Sequence, residues 1–294
     1  MKSGFLDSLY RELDEMGLGR DYQRRREALP IYRRWAVGFL DRLPDYGERR
    51  SFLSGAAYAV RDGGPDTESA RFWIQVFKEC LDREPKTMFS SCWQLMDSIG
   101  RVATEENFDE MAALTENPFY IQCMTMGYKT YFARSKDPRV PEVLRRLMEP
   151  EEVYDEGRII LGARIAADRK FLELIPTVEK LLTRLKTEQP EARLDSLEDA
   201  LYRLYRARYI QELYAGGKAK VGISRVLAAL DGADGERAAF AAYALGDVKA
   251  VEALGRLREL ATSSNVRLRR EAKAAVKKLE KASALPLQRE GSER

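Results

Sequence analysis

Two acidic clusters in this chain have the residue types to do chemistry. Glu105, Glu106, Asp109 and Glu110 form one, and Glu151, Glu152, Asp155 and Glu156 form another with the same spacing. Carboxylates four residues apart share a helix face and could ligate Mg²⁺. A di-iron centre built on helices pairs Glu with Glu-x-x-His, and the chain has no histidine. Acids also belong in the first turn of a helix, where the helix dipole favours them. Capping and a solvated face are therefore the preferred reading of both clusters.

The missing histidine excludes more than di-iron. It removes every Ser-His-Asp and Cys-His arrangement, every His-ligated metal site and the commonest general base near neutral pH. Cys80, Cys92 and Cys123 are odd in number and share no CxxC spacing, so a disulfide framework or zinc site is not expected and buried thiols are. The stretch "LYRLYRARYIQELY" (201–214) interleaves Tyr202, Tyr205, Tyr209 and Tyr214 with Arg203, Arg206 and Arg208. Tyrosine and arginine together can stack on and neutralise single-stranded nucleic acid. Helical spacing offers a plainer account, with Leu197, Leu201 and Leu204 as an apolar stripe and Tyr205 at its edge. Arg208 falls on that stripe, where a charge must snorkel, meet a carboxylate or mark a helix break. No catalytic residue, metal ligand or cofactor is expected, and the enzyme reading is left open but disfavoured.

These side chains need elements to hold them, and the elements read as helices. Hydrophobic residues make up 45% and charged residues 33% of 294, with a formal net charge of +3, a soluble, helix-rich balance without global basicity. No run of about eighteen apolar residues occurs, and acids occupy the start of the chain where a secretory signal needs an apolar stretch. A cytoplasmic location without membrane contact is the expectation. Val140, Val143, Leu144, Leu147 and Met148 share one helical face, as do Phe171, Leu174, Val178, Leu181 and Leu185. Pro138 and Pro141 suit a first helical turn, whereas Pro176 marks a kink or a later start. Breaks between helices fall near 64, 103, 137, 169 and 247, with a fainter one around 209–217. Their spacing of roughly 32 to 40 residues is that of helical-pair solenoids.

Residues 236–279 carry the sharpest pattern, "AAYALGDVKAVEALGRL" followed by "SNVRLRREAKAAVKKL". They resemble HEAT repeats, particularly the short variety also found in phycobilisome lyases. In that resemblance Ala238, Ala239, Ala241, Ala242 and Ala244 permit close helix approach. Gly246 and Asp247 make the tight turn, and Val251, Leu254 and Leu257 supply the second helix's core face. The fold expected is all-α, an α-α superhelix of about five or six helix pairs. Residues 1–45 read as an N-terminal helical cap, 46–283 as HEAT-like repeats and 284–294 as a loose tail.

HEAT-like enzymes give no match to functional residues here. The iron-binding hydroxylases of this fold need His-Glu pairs. The DNA glycosylases need a basic face with Trp and Asp, and Trp73 lies at core spacing with Val76, Phe77 and Cys80. The expected function is thus a non-catalytic scaffold or adaptor that binds another protein, one with an acidic patch, on a concave surface. A nucleic-acid-binding or DNA-repair protein on the same fold, and a bilin-lyase-like protein handling a tetrapyrrole, stand as alternatives.

Charge segregation supplies the candidate contacts. Residues 20–34 hold six basic and two acidic residues, 97–120 one and six, and 264–281 seven and two. In the last stretch Leu268, Ala272, Ala275, Val276 and Leu279 face inward, leaving Arg270, Lys273, Lys277 and Lys281 outward. In the family the second helix of each unit lines the concave side. On that basis Arg145, Arg146, Lys180, Arg184, Lys220, Arg225 and Arg256 form a row interrupted by Glu142, Glu173 and Glu252. The partner-binding candidates are that row together with Arg270, Lys273 and Lys277.

Overall fold

Short polar side chains open several of the helices. Asp45 accepts from the Glu48 amide at 2.9 Å, Asp66 from the Ser69 amide at 3.1 Å and Asn265 from the Leu268 amide at 3.0 Å. Asp234 accepts from the amides of Glu236 and Arg237. Each bond satisfies a donor that a first helical turn leaves without a partner. In the computed structural model, residues 4–18, 25–43, 45–83, 85–117, 120, 127–149, 156–189, 194–218, 221–232 and 234–289 are described. They form helices joined by turns and 3₁₀ segments, with no strand among the described residues. No described helix is long and apolar enough to cross a membrane. The chain divides into two compact units, Met1–Leu201 and Tyr202–Arg294, the division falling inside helix Asp195–Leu213.

In the first unit, helices Phe5–Glu15 and Arg25–Ala36 and the short Phe39–Arg42 gather aromatic rings onto helix Tyr46–Asp62. Phe39 and Phe5 meet Phe52 at centroid distances of 4.9 and 5.8 Å, and Trp35 stands edge-on to Phe5 at 4.8 Å. Tyr46–Asp62 and Thr67–Arg83 both pack on Pro85–Val102, burying Trp73, Phe77, Cys80, Cys92, Leu95 and Met96 completely. Trp73 is a core residue, as its spacing predicts. Gly100 lies so close to Gly127 that a Cβ on it would sit 2.8 Å from the Gly127 Cα, so neither position tolerates a side chain.

Beyond that crossing, Val140–Met148 packs on Glu156–Arg169 and contacts Ile175–Glu188. The stripe of Val140, Val143, Leu144, Leu147 and Met148 is wholly buried. Pro141 stands in the first turn of its helix, and Pro138 lies in the turn before it. The helix holding Pro176 starts late, at Ile175, after a 3₁₀ turn over Leu172–Leu174.

Two arginines close the turns here. Arg134 donates to the carbonyls of Gly100 and Arg101 at 3.0 Å and also to Ala103. Arg169 donates to those of Phe132, Ala133 and Ser135 at 3.0, 3.1 and 2.6 Å. The last carbonyls of a helix lack intrahelical donors and carry its negative dipole end, so a guanidinium satisfies several at once.

The same turn occurs once in each unit. Lys170 (φ 60) is followed by Phe171 at φ −74, ψ 84, and Lys249 (φ 58) by Ala250 at φ −72, ψ 85. The Phe171 amide bonds the Ala166 carbonyl and the Ala250 amide the Leu245 carbonyl, both at 3.0 Å. This closes the helix with a left-handed residue, and a 3₁₀ turn then leads into the next helix in both places.

The second unit stacks Ile223–Leu230 on Gly235–Asp247, and Gly235–Asp247 on Val266–Arg289, which also packs against Leu254–Leu260. Ala238, Ala239, Ala241, Ala242 and Ala244 are all buried, as expected of a close helix contact. Gly246 is part of that contact and not of the turn: a Cβ on it would lie 2.8 Å from Ala275. The helix runs on through Asp247, and the turn comes after it at Val248–Ala250 because Lys249 takes the left-handed position. Leu257 is buried and Leu254 partly so, but Val251 is 46% exposed. Val251 opens a 3₁₀ turn with three residues per turn, which places Ala253 inward in its stead. Leu268, Ala272, Ala275 and Leu279 face inward. The last helix reaches Arg289, within the segment read from sequence as a tail.

Candidate functional site

Helix Asp195–Leu213 continues unbroken past Arg208, so the break expected around 209–217 begins only at Tyr214. That helix, Ile223–Leu230 and Gly235–Asp247 enclose a groove of about 780 Å³. The first contributes Tyr205, Arg208, Tyr209, Glu212 and Leu213; the second and the turn before it contribute Val221, Gly222, Arg225, Val226 and Ala229. Asp234, Glu236, Arg237 and Phe240 come from the third. Phe240 and Val226 are buried and form the floor, with the Tyr209 ring 5.8 Å from that of Phe240. Arg208 solves its misplacement on the apolar stripe by lying exposed over the Tyr205 ring, 4.8 Å from its centroid. Cation–π contact and hydration together replace a carboxylate partner.

The rim is electrostatically uneven. Asp234 caps its helix while keeping its charge at the rim, and Glu236 pairs with Arg267. Arg208, Arg225 and Arg237 have no carboxylate partner among the described residues. The fields of Arg237 and Arg225 reach the Tyr209 hydroxyl, although burial outweighs them and raises its pKa. A smaller depression of about 400 Å³ shares Arg225, Ala229, Asp234 and Arg237 with the groove, which therefore continues alongside Ile223–Leu230.

A buried ion pair underlies the groove. Glu271, 4% exposed, accepts from Arg206 at 2.7 Å, with the Tyr202 hydroxyl and Arg270 each at 3.4 Å. The Tyr202 ring is crossed by Arg267 at 4.7 Å, Arg270 at 5.4 Å and Arg206 at 5.9 Å, and it packs on Phe240 at 5.1 Å. Burial, and then the Glu271 charge, push the Tyr202 hydroxyl well above the usual tyrosine range. Arg267 thus links the rim of the groove to the last helix, because it holds Glu236 while lying over Tyr202, the ring packed on Phe240.

The predicted basic row is distributed differently. Arg145 pairs with Glu142, Arg146 with Glu116 at 3.4 Å, Arg184 with Glu188 at 3.9 Å, and Arg256 with Asp231 and Glu259 at 2.8 and 2.6 Å. Lys180 and Arg184 line one depression of about 680 Å³ beside Met148, which neither Arg145 nor Arg146 lines. Arg225 belongs to the groove, and Lys220 lies outside the described residues. Arg270, Lys273, Lys277 and Lys281 are exposed, Arg270 over Tyr202. Arg208 and the tyrosines beside it stood out in the sequence, but Arg237 and Phe240 carried no signal of their own.

The acidic cluster at 105–110 is dispersed among separate partners. Glu105 accepts from Ser135 and the Lys136 amide, Glu110 from Arg71, and Asp109 from Arg139. No group of three or more Cys, Asp or Glu is arranged to hold a metal among the described residues. Glu151, Glu152 and Asp155 lie outside them, as does Cys123, and Glu156 opens a helix. Cys80 and Cys92 are buried and free, and the contact with Cys80 together with burial pushes the Cys92 thiol far up. The groove brings three exposed guanidiniums together with aromatic and aliphatic side chains. Comparison with known proteins gave no match to a family model, to a curated protein or to a solved structure.

Proposed function

We propose that this chain is a non-catalytic binding protein of HEAT-like helical pairs, and that its partner is another protein docking in the groove of the C-terminal unit. The observation that carries this reading is the set of Arg208, Arg225 and Arg237, unmatched by carboxylates, over a floor of Phe240, Val226 and Tyr209. Aromatic and arginine side chains in a partly desolvated depression are the usual energetic centre of a protein interface. The repeated turn at 166–175 and 245–254 supports the HEAT-like part. The predicted row suits a partner less well, since Arg145, Arg146, Arg184 and Arg256 already have carboxylates beside them.

Tyr205 and Tyr209 beside three arginines also favour a second reading, single-stranded nucleic acid. Glu212, Asp234 and Glu236 in the same rim weigh against a regular polyphosphate. A tetrapyrrole asks for a deep apolar pocket, whereas this lining alternates charged and aromatic residues. The test is capture from the native host's extract with the wild-type chain and an R208E/R225E/R237E variant, scored for protein, nucleic acid and pigment. Loss of the same proteins from the variant, with its helicity intact, is the expected outcome. Retention of those proteins by the variant places the partner elsewhere.

A further inference from the structure

We infer that the occupant of the groove is an extended acidic peptide segment with a bulky apolar or aromatic side chain between its carboxylates. This inference rests on the binding reading above and specifies its ligand. The first argument is the charge left over at the rim. Arg208, Arg225 and Arg237 face the groove without an ion-pair partner among the described residues, against the charges of Glu212 and the helix-capping Asp234, while Glu236 is held by Arg267, so the rim is basic by a small margin. Guanidiniums in that state match carboxylates by forked hydrogen bonds. Glu212, one helical turn after Arg208, faces the same groove and disfavours an unbroken run of negative charge near Leu213.

The second argument is shape. The groove runs on into the depression beside Arg225, Ala229, Asp234 and Arg237, a course suited to a thin chain rising about 3.3 Å per residue. The third is the floor itself. Half-buried Leu213 and Val221, with the edge of the largely buried Phe240 ring, offer apolar surface among charged groups, which an anchoring side chain covers and a phosphodiester does not.

The test uses the full chain and fluorescence anisotropy with three labelled probes. One is a short peptide of glutamates around a central phenylalanine, the second has alanine in place of the phenylalanine, and the third is an oligothymidylate of similar charge. The expected result is that the first peptide binds about tenfold tighter than the second. Its affinity should drop about tenfold in R208A/R225A/R237A and decline with salt. Those arginines are surface groups, and circular dichroism together with the melting temperature confirms that the variant is folded. Equal binding of the two peptides, an oligothymidylate bound more tightly than either, or an unchanged triple variant each overturns the inference. If neither peptide binds while the charge-reversed variant still loses its captured protein, the ligand class is wrong and the groove reading stands. If that variant captures its proteins as the wild type does, the groove reading itself fails.

Discussion

Particular arginines of the two units serve different ends. In the first, Arg134, although exposed, and the half-buried Arg169 each donate to three carbonyls at the end of a neighbouring helix. In the second, close helix contact comes from alanines, from Gly246 against Ala275 and from one buried pair, Arg206 with Glu271. Arg208, Arg225 and Arg237 are left at the rim of a groove. The difference shows that arginine content does not locate a binding surface. A guanidinium is available to a partner only where no helix end and no acid has claimed it first.

The largest effect that would sharpen this contrast is expected at Glu271. Glu271→Ala leaves the Arg206 charge largely buried with no counter-ion, and removing one partner of such a pair costs about 3–5 kcal/mol. Denaturant unfolding measures it. A loss below about 1 kcal/mol would mean that the alanine contacts alone hold the last helix in place.

Next is a pair of matched truncations. Arg169→Ala removes charge-assisted bonds to three part-buried carbonyls and should cost about 3 kcal/mol, whereas Arg225→Ala, a surface change, should stay within about 0.5 kcal/mol. Equal losses would break the comparison, because the groove arginine would then be structural.

The smallest effect is a pH dependence. Asp247 accepts from Lys218 at 2.7 Å and from Tyr214 at 2.9 Å. Its burial alone would raise its pKa, but these bonds outweigh burial and hold it below the usual aspartate value. A depressed folded pKa stabilises the fold above the unfolded value, about 3.9, and that contribution is lost as pH falls through the lower folded value. Asp247→Asn should therefore lose well under about 1 kcal/mol at pH 7, as exposed pairs do. Its stability should also decline less steeply than the wild type's below about pH 4. Parallel acid-denaturation curves would show that Asp247 is not coupled to folding.

The all-helical class, the buried stripes at 140–148 and 268–279 and the alanine contact at 238–244 were legible in the sequence. The stripes depend on periodicity within a single helix, and burying one face of a helix needs no knowledge of its neighbour's identity, whereas the alanine contact came from the resemblance to HEAT repeats. The exact turn was less legible. Gly246 and Asp247 look like a turn, but only packing against Ala275 shows that Gly246 must remain helical so that two backbones can approach. Arg208 was visible as a charge out of place, and the sequence offered three ways to resolve it without choosing one.

A contact within its own helix, with Tyr205, made that choice, and tertiary structure then brought Arg225, Arg237 and Phe240 from two further helices to the same groove. It also decided which charges are spent, since Arg145 and Arg256 meet acids that make them poor candidates while Arg225 does not. A sequence determines which side chains exist and which face of a helix each occupies. Whether a charge is paired depends on groups that can be thirty or more residues away, as Arg267 is from Glu236, and only the folded chain sets those distances.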